Sequence, residues 1–137
     1  GGVLASQVYG NLLIRVPAAG KLPLKELEFE VFPWENQQIP EKTYTKWFDY
    51  DKIKNSPCVR TRRQGDYLTV NSEGGRKKLN RIFIDEKIPA EMRDRLPVVA
   101  VGSEILWIPG GRMNEKYKIT STTGRVLELH YQGGALA

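Results

Sequence analysis

The sequence predicts an α+β fold in which mostly antiparallel strands form a sandwich-like arrangement with two short helices. Residues 27–31 alternate apolar side chains with glutamates, a period of two that is typical of a strand. Two segments with helical spacing follow, at 76–86 and 90–95, and strand patterns then return. Strands on both sides of one helical region, without regular alternation of strand and helix, indicate helices packed on antiparallel sheets and exclude a doubly wound nucleotide-binding fold.

The first half of the chain is predicted to form strands separated by turn-rich loops. The pattern predicts strands at 12–16, 27–31 and 47–50, the last of them rich in aromatic residues. In the second of these we expect Leu27, Phe29 and Val31 to face the core and the glutamates to face water. A further extended run begins after Pro57, and on it Arg60 and Arg62 would share one face.

The two predicted helices follow a Gly-Gly turn. Leu79, Ile82 and Phe83 have helical spacing in the 76–86 segment and should face the core. Pro89 suits the first position of the second helix.

The remaining residues return to strands. The best hairpin pattern joins 98–101 to 105–108 through Gly102-Ser103. A last strand pair is predicted between 117–119 and 126–131, followed by a frayed tail at 132–137. We therefore divide the chain into a β-rich segment at 1–56, which packs with a C-terminal module at 57–131, and the tail.

Composition narrows the possible functions. The chain has 137 residues, 40% of them hydrophobic and 27% charged, as expected for one globular domain. No apolar run approaches the roughly 20 residues that cross a membrane, so we expect no membrane association. The single Cys58 excludes an internal disulfide, and with one histidine, His130, a Cys/His zinc site is excluded too. These features suit a cytoplasmic protein.

No catalytic constellation is visible. His130 alternates with Leu129 and Tyr131 near a strand end, which favours a surface strand residue over a general base. Cys58 is expected to be a small buried residue, and the three tryptophans are expected in the core. The glycine pairs at 74–75 and 110–111 fit neither a dinucleotide fingerprint nor a P-loop. We predict no catalytic residues, no metal site and no cofactor within this chain.

A localised positive charge is the strongest functional signal. The formal net charge is +5, and residues 60–81, with seven basic and two acidic residues, account for all of it. If 76–86 is a helix, its first turn carries Arg76, Lys77 and Lys78, where the positive end of the helix dipole disfavours cations unless an anion binds there. A phosphate would satisfy both the helix end and the side chains.

The candidate nucleic-acid contacts are the basic residues of this region, with one from a later turn. They are Arg60, Arg62, Arg63, Arg76, Lys77, Lys78, Arg81 and Arg112. Arginine predominates, and its planar fork suits bidentate phosphate contacts. The alternative is a solvated helix face beside a strand of arginines, and charge alone does not separate the two.

Residues 57–131 resemble the C-terminal region of bacterial tRNA(Ile)-lysidine synthetase. The motifs that carry the resemblance are Arg60-Thr61-Arg62-Arg63-Gln64-Gly65-Asp66, Gly75-Arg76-Lys77-Lys78-Leu79, Phe83 to Pro89, Arg93, Pro97, Ile105 to Gly110 and Lys118-Ile119-Thr120. Trp47 to Asp51 and the strands before it also resemble the segment that precedes this module. The region is similar as well to a sandwich-like module of the phenylalanyl-tRNA synthetase β subunit. One departure is Arg76, where relatives often have threonine.

The resemblance implies a tRNA-recognition domain. In that family the full enzyme is an ATP-dependent ligase that attaches lysine to the wobble cytidine of isoleucine tRNA, with ATP and Mg²⁺ bound by an N-terminal catalytic domain. This chain lacks the Ser-Gly-Gly-x-Asp-Ser phosphate loop of that domain, so we expect it to have no catalysis of its own. The expected partner is isoleucine tRNA near its acceptor stem. The alternative is a structural module for dimerisation or for docking onto the catalytic domain.

Overall fold

Within residues 27–132, two β-sheets and a layer of helices make up the fold. In this computed structural model residues 27–132 are described in full. For two earlier strands, Leu4–Tyr9 (β1) and Leu12–Pro17 (β2), only the antiparallel pairing is described. The further strands are β3 (Leu27–Pro33), β4 (Thr45–Asp49), β5 (Cys58–Arg60), β6 (Tyr67–Thr69), β7 (Arg76–Lys78), β8 (Val98–Val101), β9 (Glu104–Trp107) and β10 (Arg125–Tyr131). The helices are α1 (Leu79–Asp85) and α2 (Ala90–Arg93).

The topology explains the sandwich. One sheet has the order β3-β10-β4, and the other has the order β5-β8-β9-β6-β7. Strand β8 serves two cores, because Val99 points between the sheets while Val98 and Ala100 point towards the helices. The first core contains Phe48, Trp107 and Leu129, and the second contains the helical residues predicted to be buried, Leu79, Ile82 and Phe83. The predicted α+β class is confirmed.

Several predicted elements agree with the structure. The 98–108 hairpin forms as β8 and β9, and Gly102 takes the positive φ of 63° that its two-residue turn requires. Strands at 12–16, 27–31 and 47–50 are confirmed to within two residues at their ends. Helix α2 is present but ends at Arg93. Trp107 is fully buried as expected, whereas Trp34 and Trp47 are half-buried.

Other predictions are wrong. Tyr117 begins no strand: it lies in a 3₁₀ turn at Glu115–Tyr117, and β10 pairs with β3 and β4 instead. Cys58 is exposed, because it begins β5 at the edge of its sheet. Phe29 is 74% exposed although its face was predicted to be buried.

The position of β3 explains the exposure of Phe29. Phe29 and Val31 pair with Leu129 and Leu127, so they do lie on the core side of the sheet. The core covers β10 and β4, however, and β3 extends beyond it as an edge strand. Periodicity identified the correct face but not whether another layer covers it.

The tail prediction falls, apart from Gln132, outside the described residues. Among the helices that the structure describes, none has the length and apolar character of a membrane span.

Candidate nucleic-acid interface

Strand β7 carries the three consecutive cations that the sequence placed in a helix. Arg76, Lys77 and Lys78 pair with Thr69, Leu68 and Tyr67 of β6 in an antiparallel ladder. Lys78 is still extended, and α1 begins only at Leu79. The predicted helix start at 76 is therefore wrong. The unfavourable placement of cations at a helix N-terminus largely disappears, since β7 keeps the first two of them outside the helix.

The change from helix to strand separates the cations by face. Successive side chains of a strand point to opposite sides, so Arg76 and Lys78 share one face and Lys77 lies on the other. The Arg76 guanidinium lies 4.6 Å from the centre of the Tyr67 ring, a cation–π distance. Lys77 instead points towards α1, where its Nζ donates to Asp85 Oδ2 at 2.8 Å.

A group of cations and carboxylates, which we call the helix-side cluster, surrounds α1. Its members are Arg62, Lys77, Arg81, Arg112, Asp85 and Asp94. Arg81 Nε lies 3.1 Å from Asp85 Oδ1. The hydrogen bond from Lys77, together with the charges of Arg81 and Arg112, holds the pKa of Asp85 below its usual value. Tertiary structure thus brings Arg112, from a distant turn, to the predicted surface.

Arg62 connects β5 to both helices. Its Nε donates to Asp94 Oδ1 at 2.7 Å and its Nη1 donates to Asn80 Oδ1 at 2.9 Å. The hydrogen bond from Arg62 lowers the pKa of Asp94. Two of the five N–H donors of this guanidinium are therefore already used within the domain.

Arg60 is a structural residue. It is 7% exposed, and its guanidinium makes two hydrogen bonds of 2.8 Å to the Asp66 carboxylate. It also donates to the backbone oxygens of Gly102 at 2.7 Å and Thr61 at 2.9 Å. The hydrogen bonds to Asp66 raise the pKa of the guanidinium. We exclude Arg60 from the interface, because a phosphate has no access to donors that are buried and already satisfied.

Arg63, unlike the buried Arg60, exposes its side chain to solvent. Its backbone N–H donates to Asp66 Oδ2 at 2.7 Å, while its side chain is exposed. Lys78 is exposed as well. Within the described part of the chain, neither the Arg63 side chain nor Lys78 makes an ion pair of 4.0 Å or less.

Comparison with known proteins identifies the family. The family model described as the TilS substrate C-terminal domain matches residues 58–129 of this chain. The chain belongs to the TilS substrate C-terminal domain family. A crystal structure of a TilS C-terminal domain superposes with a TM-score of 0.61 at 32% identity, covering 80% of this chain and 87% of that one.

Full-length relatives of this TilS C-terminal domain are tRNA(Ile)-lysidine synthases. The protein of Caldanaerobacter subterraneus subsp. tengcongensis is 38% identical over 93% of this chain and 31% of its own length. That of Clostridium tetani is 41% identical over 66% of this chain and 19% of its own length. The chain thus spans less than a third of the relatives that it matches.

The sequence identified the basic residues of the TilS C-terminal domain but not their partners. Asp66, Asp85 and Asp94 each bind a predicted contact residue. Asp85 lies four residues after Arg81, a spacing that signals a helical ion pair. Nothing in the sequence indicates that Asp94 contacts Arg62.

Proposed function

We propose that this chain is a tRNA-recognition domain without catalysis of its own, part of a longer tRNA(Ile)-lysidine synthase. In that protein ATP and Mg²⁺ would serve a separate catalytic region, which attaches lysine to isoleucine tRNA in the cytoplasm. The family membership and the names of the relatives support this role.

One observation carries the proposal. Edge strand β7 presents Arg76 and Lys78 to solvent on one face, with the guanidinium of Arg76 over the Tyr67 ring at 4.6 Å from its centre. Exposed cations on a rigid strand bind phosphates at low entropic cost, because their backbone is already fixed. Duplex RNA is recognised mainly through its shape, phosphates and 2′-hydroxyls, which suits such a face. Arg63 and the surplus cations of the helix-side cluster, which lies on the opposite side of β7, are further candidate contacts.

The proposal is tested by measuring binding to isoleucine tRNA and to its isolated acceptor-stem hairpin across a salt series. Four phosphate contacts predict a slope of log affinity against log salt of roughly −3 to −4. Arg76→Ala/Lys78→Ala should weaken binding and flatten the slope by about 2. Lys77→Ala is the matched control on the same strand, and it should have a smaller effect because Lys77 already binds Asp85.

Two results contradict the proposal. One is a wild-type chain that does not bind tRNA at low salt. The other is an affinity and slope unchanged by Arg76→Ala/Lys78→Ala.

Self-association is a second candidate function, favoured by the exposed apolar side chains of β3. Phe29 is 74% and Val31 36% exposed on adjacent positions of one face. A second copy of the chain would bury them. Sedimentation velocity should then show a dimer for the wild type and a monomer for Phe29→Glu, and a dimer indifferent to tRNA would favour this function over RNA recognition.

A further inference from the structure

A second basic surface lies on the Arg76 face of β7, and Arg76 is the one residue that it shares with the predicted contacts. It is a groove of about 450 Å³, which we call the β7 groove. Its cations come from three separate parts of the chain: Lys52 from the 3₁₀ turn after β4, Arg76 from β7, and Lys116 and Lys118 from the segment before β10. One carboxylate, that of Glu115, also lines the groove. Among the lining residues the cations therefore outnumber the carboxylates four to one.

The three lysines of the groove are only loosely paired. Each ammonium nitrogen lies 3.6–3.8 Å from its nearest carboxylate oxygen, beyond hydrogen-bond distance. The pairs are Lys52 with Asp49, Lys116 with Glu104, and Lys118 with Glu115. The lysine side chains are 41–65% exposed. Their N–H donors therefore remain available to an incoming anion.

Two of these carboxylates also accept hydrogen bonds from neutral groups. Asp49 accepts a hydrogen bond from Thr123 Oγ1 at 2.9 Å. Glu104 accepts one from the Tyr117 hydroxyl at 2.5 Å, and burial followed by this contact raises the pKa of that tyrosine. Each of these two carboxylates therefore has a neutral donor closer to it than its lysine ammonium.

The remaining lining supplies neutral donors. The side chains of Thr69, Ser72 and Thr120 line the groove beside the cations. Ammonium groups, a guanidinium fixed on an aromatic ring, and hydroxyls form a donor set that suits phosphate oxygens, which accept several hydrogen bonds at once. The groove also adjoins the face that presents Lys78, so a single extended polyanion would contact both.

We propose that the β7 groove binds the phosphodiester backbone of an RNA strand. This inference rests on the proposed function, because the RNA that binds the exposed face of β7 would also contact Lys52, Lys116 and Lys118. The contacts depend on the charge and shape of the RNA backbone, so binding in the groove is independent of base sequence.

The test is fluorescence anisotropy of the acceptor-stem hairpin RNA with the whole chain, across a salt series. Lys52→Ala/Lys116→Ala/Lys118→Ala should flatten the salt slope by about 2 to 3 and weaken binding about tenfold or more near physiological salt. The charge-matched control, Lys42→Ala/Lys46→Ala/Lys54→Ala, removes three lysines that do not line the groove and should retain most of the slope.

A single substitution checks the result with little risk to folding. Ser72 is exposed in a turn and lines the groove, so Ser72→Glu places a negative charge there. It should weaken RNA binding several-fold, whereas Ser72→Gln should not.

The outcomes separate this inference from the proposed function. If the wild type binds no RNA, both fail. If the wild type binds RNA and the groove variants keep its affinity and slope, the groove inference alone is overturned. It is also overturned by a result with an acidic peptide of equal charge: the peptide binds the wild type as tightly as the RNA does, and the triple variant no longer binds it. The groove ligand would then be an acidic protein segment.

Discussion

The helix-side cluster and the β7 groove each contain four cations, yet they differ in how their carboxylates are used. In the helix-side cluster Asp85 and Asp94 accept hydrogen bonds of 2.7–2.8 Å from Lys77 and Arg62. At the groove Asp49, Glu104 and Glu115 stay 3.6–3.8 Å from the lysines, and the first two of them accept hydrogen bonds from neutral groups. The count of basic residues is the same, but among the described residues the lysines of the groove have no carboxylate within hydrogen-bond distance. Local charge in a sequence therefore predicts a binding surface only when its internal partners are known.

The largest expected effect concerns the buried ion pair between Arg60 and Asp66. Arg60→Met removes one partner of a buried ion pair and leaves the Asp66 carboxylate without its main donor. We expect a loss of about 3 to 5 kcal/mol in the free energy of unfolding, measured with urea. Arg63→Met, at an exposed neighbouring position, should leave stability nearly unchanged. Equal stability of the two variants would show that the Arg60–Asp66 pair is not structural.

The second prediction tests whether internal carboxylates mask the helix-side cations. Asp85→Asn releases Lys77 and Arg81 for phosphate contacts, so RNA affinity should rise several-fold and the salt slope should steepen by about 1. Glu86→Gln makes the same charge change one residue later on the chain and serves as the control. Unchanged affinity after Asp85→Asn would mean that the helix-side cluster does not face the RNA.

The third prediction concerns the ring beneath Arg76. Tyr67→Leu removes the cation–π contact that fixes the guanidinium at the edge of the groove. An exposed contact of this kind contributes about 0.5 to 1 kcal/mol, so RNA affinity should fall about two- to fivefold. Tyr67→Phe keeps the ring and should bind like the wild type. If both variants bind equally well, the ring does not position Arg76.

The smallest effect is a pH dependence of stability. The pKa values of Asp85 and Asp94 are lower in the folded state than in the unfolded chain. Their contribution to stability is therefore complete above the unfolded pKa of about 3.9 and is lost as the pH falls through the lower folded values. Urea unfolding between pH 6 and pH 2 should show a smaller loss in Asp85→Asn/Asp94→Asn than in the wild type. Parallel curves would contradict these pKa directions.

Local patterns predicted the fold better than they predicted the site. Alternation at 98–108 gave the central hairpin, and the spacing of Leu79, Ile82 and Phe83 gave the buried face of α1. The same spacing misled at Arg76, because hydrogen bonding to β6 decides where the strand ends and the helix begins. Tyr117 was wrongly assigned to a strand, because its ring is buried in the core from a 3₁₀ turn and not from a β-ladder.

The sequence by itself determined the α+β class, the resemblance to a lysidine synthetase C-terminal region, and a net positive charge concentrated around 60–81. These follow from near neighbours on the chain, whose spacing sets periodicity and local charge. Only tertiary structure decided which cations remain available. It buried Arg60 against Asp66, joined Arg62 to Asp94, and brought Lys52, Lys116 and Lys118 to Arg76. Such contacts depend on the path of the backbone between residues that are distant in the sequence. Composition and local spacing do not determine that path.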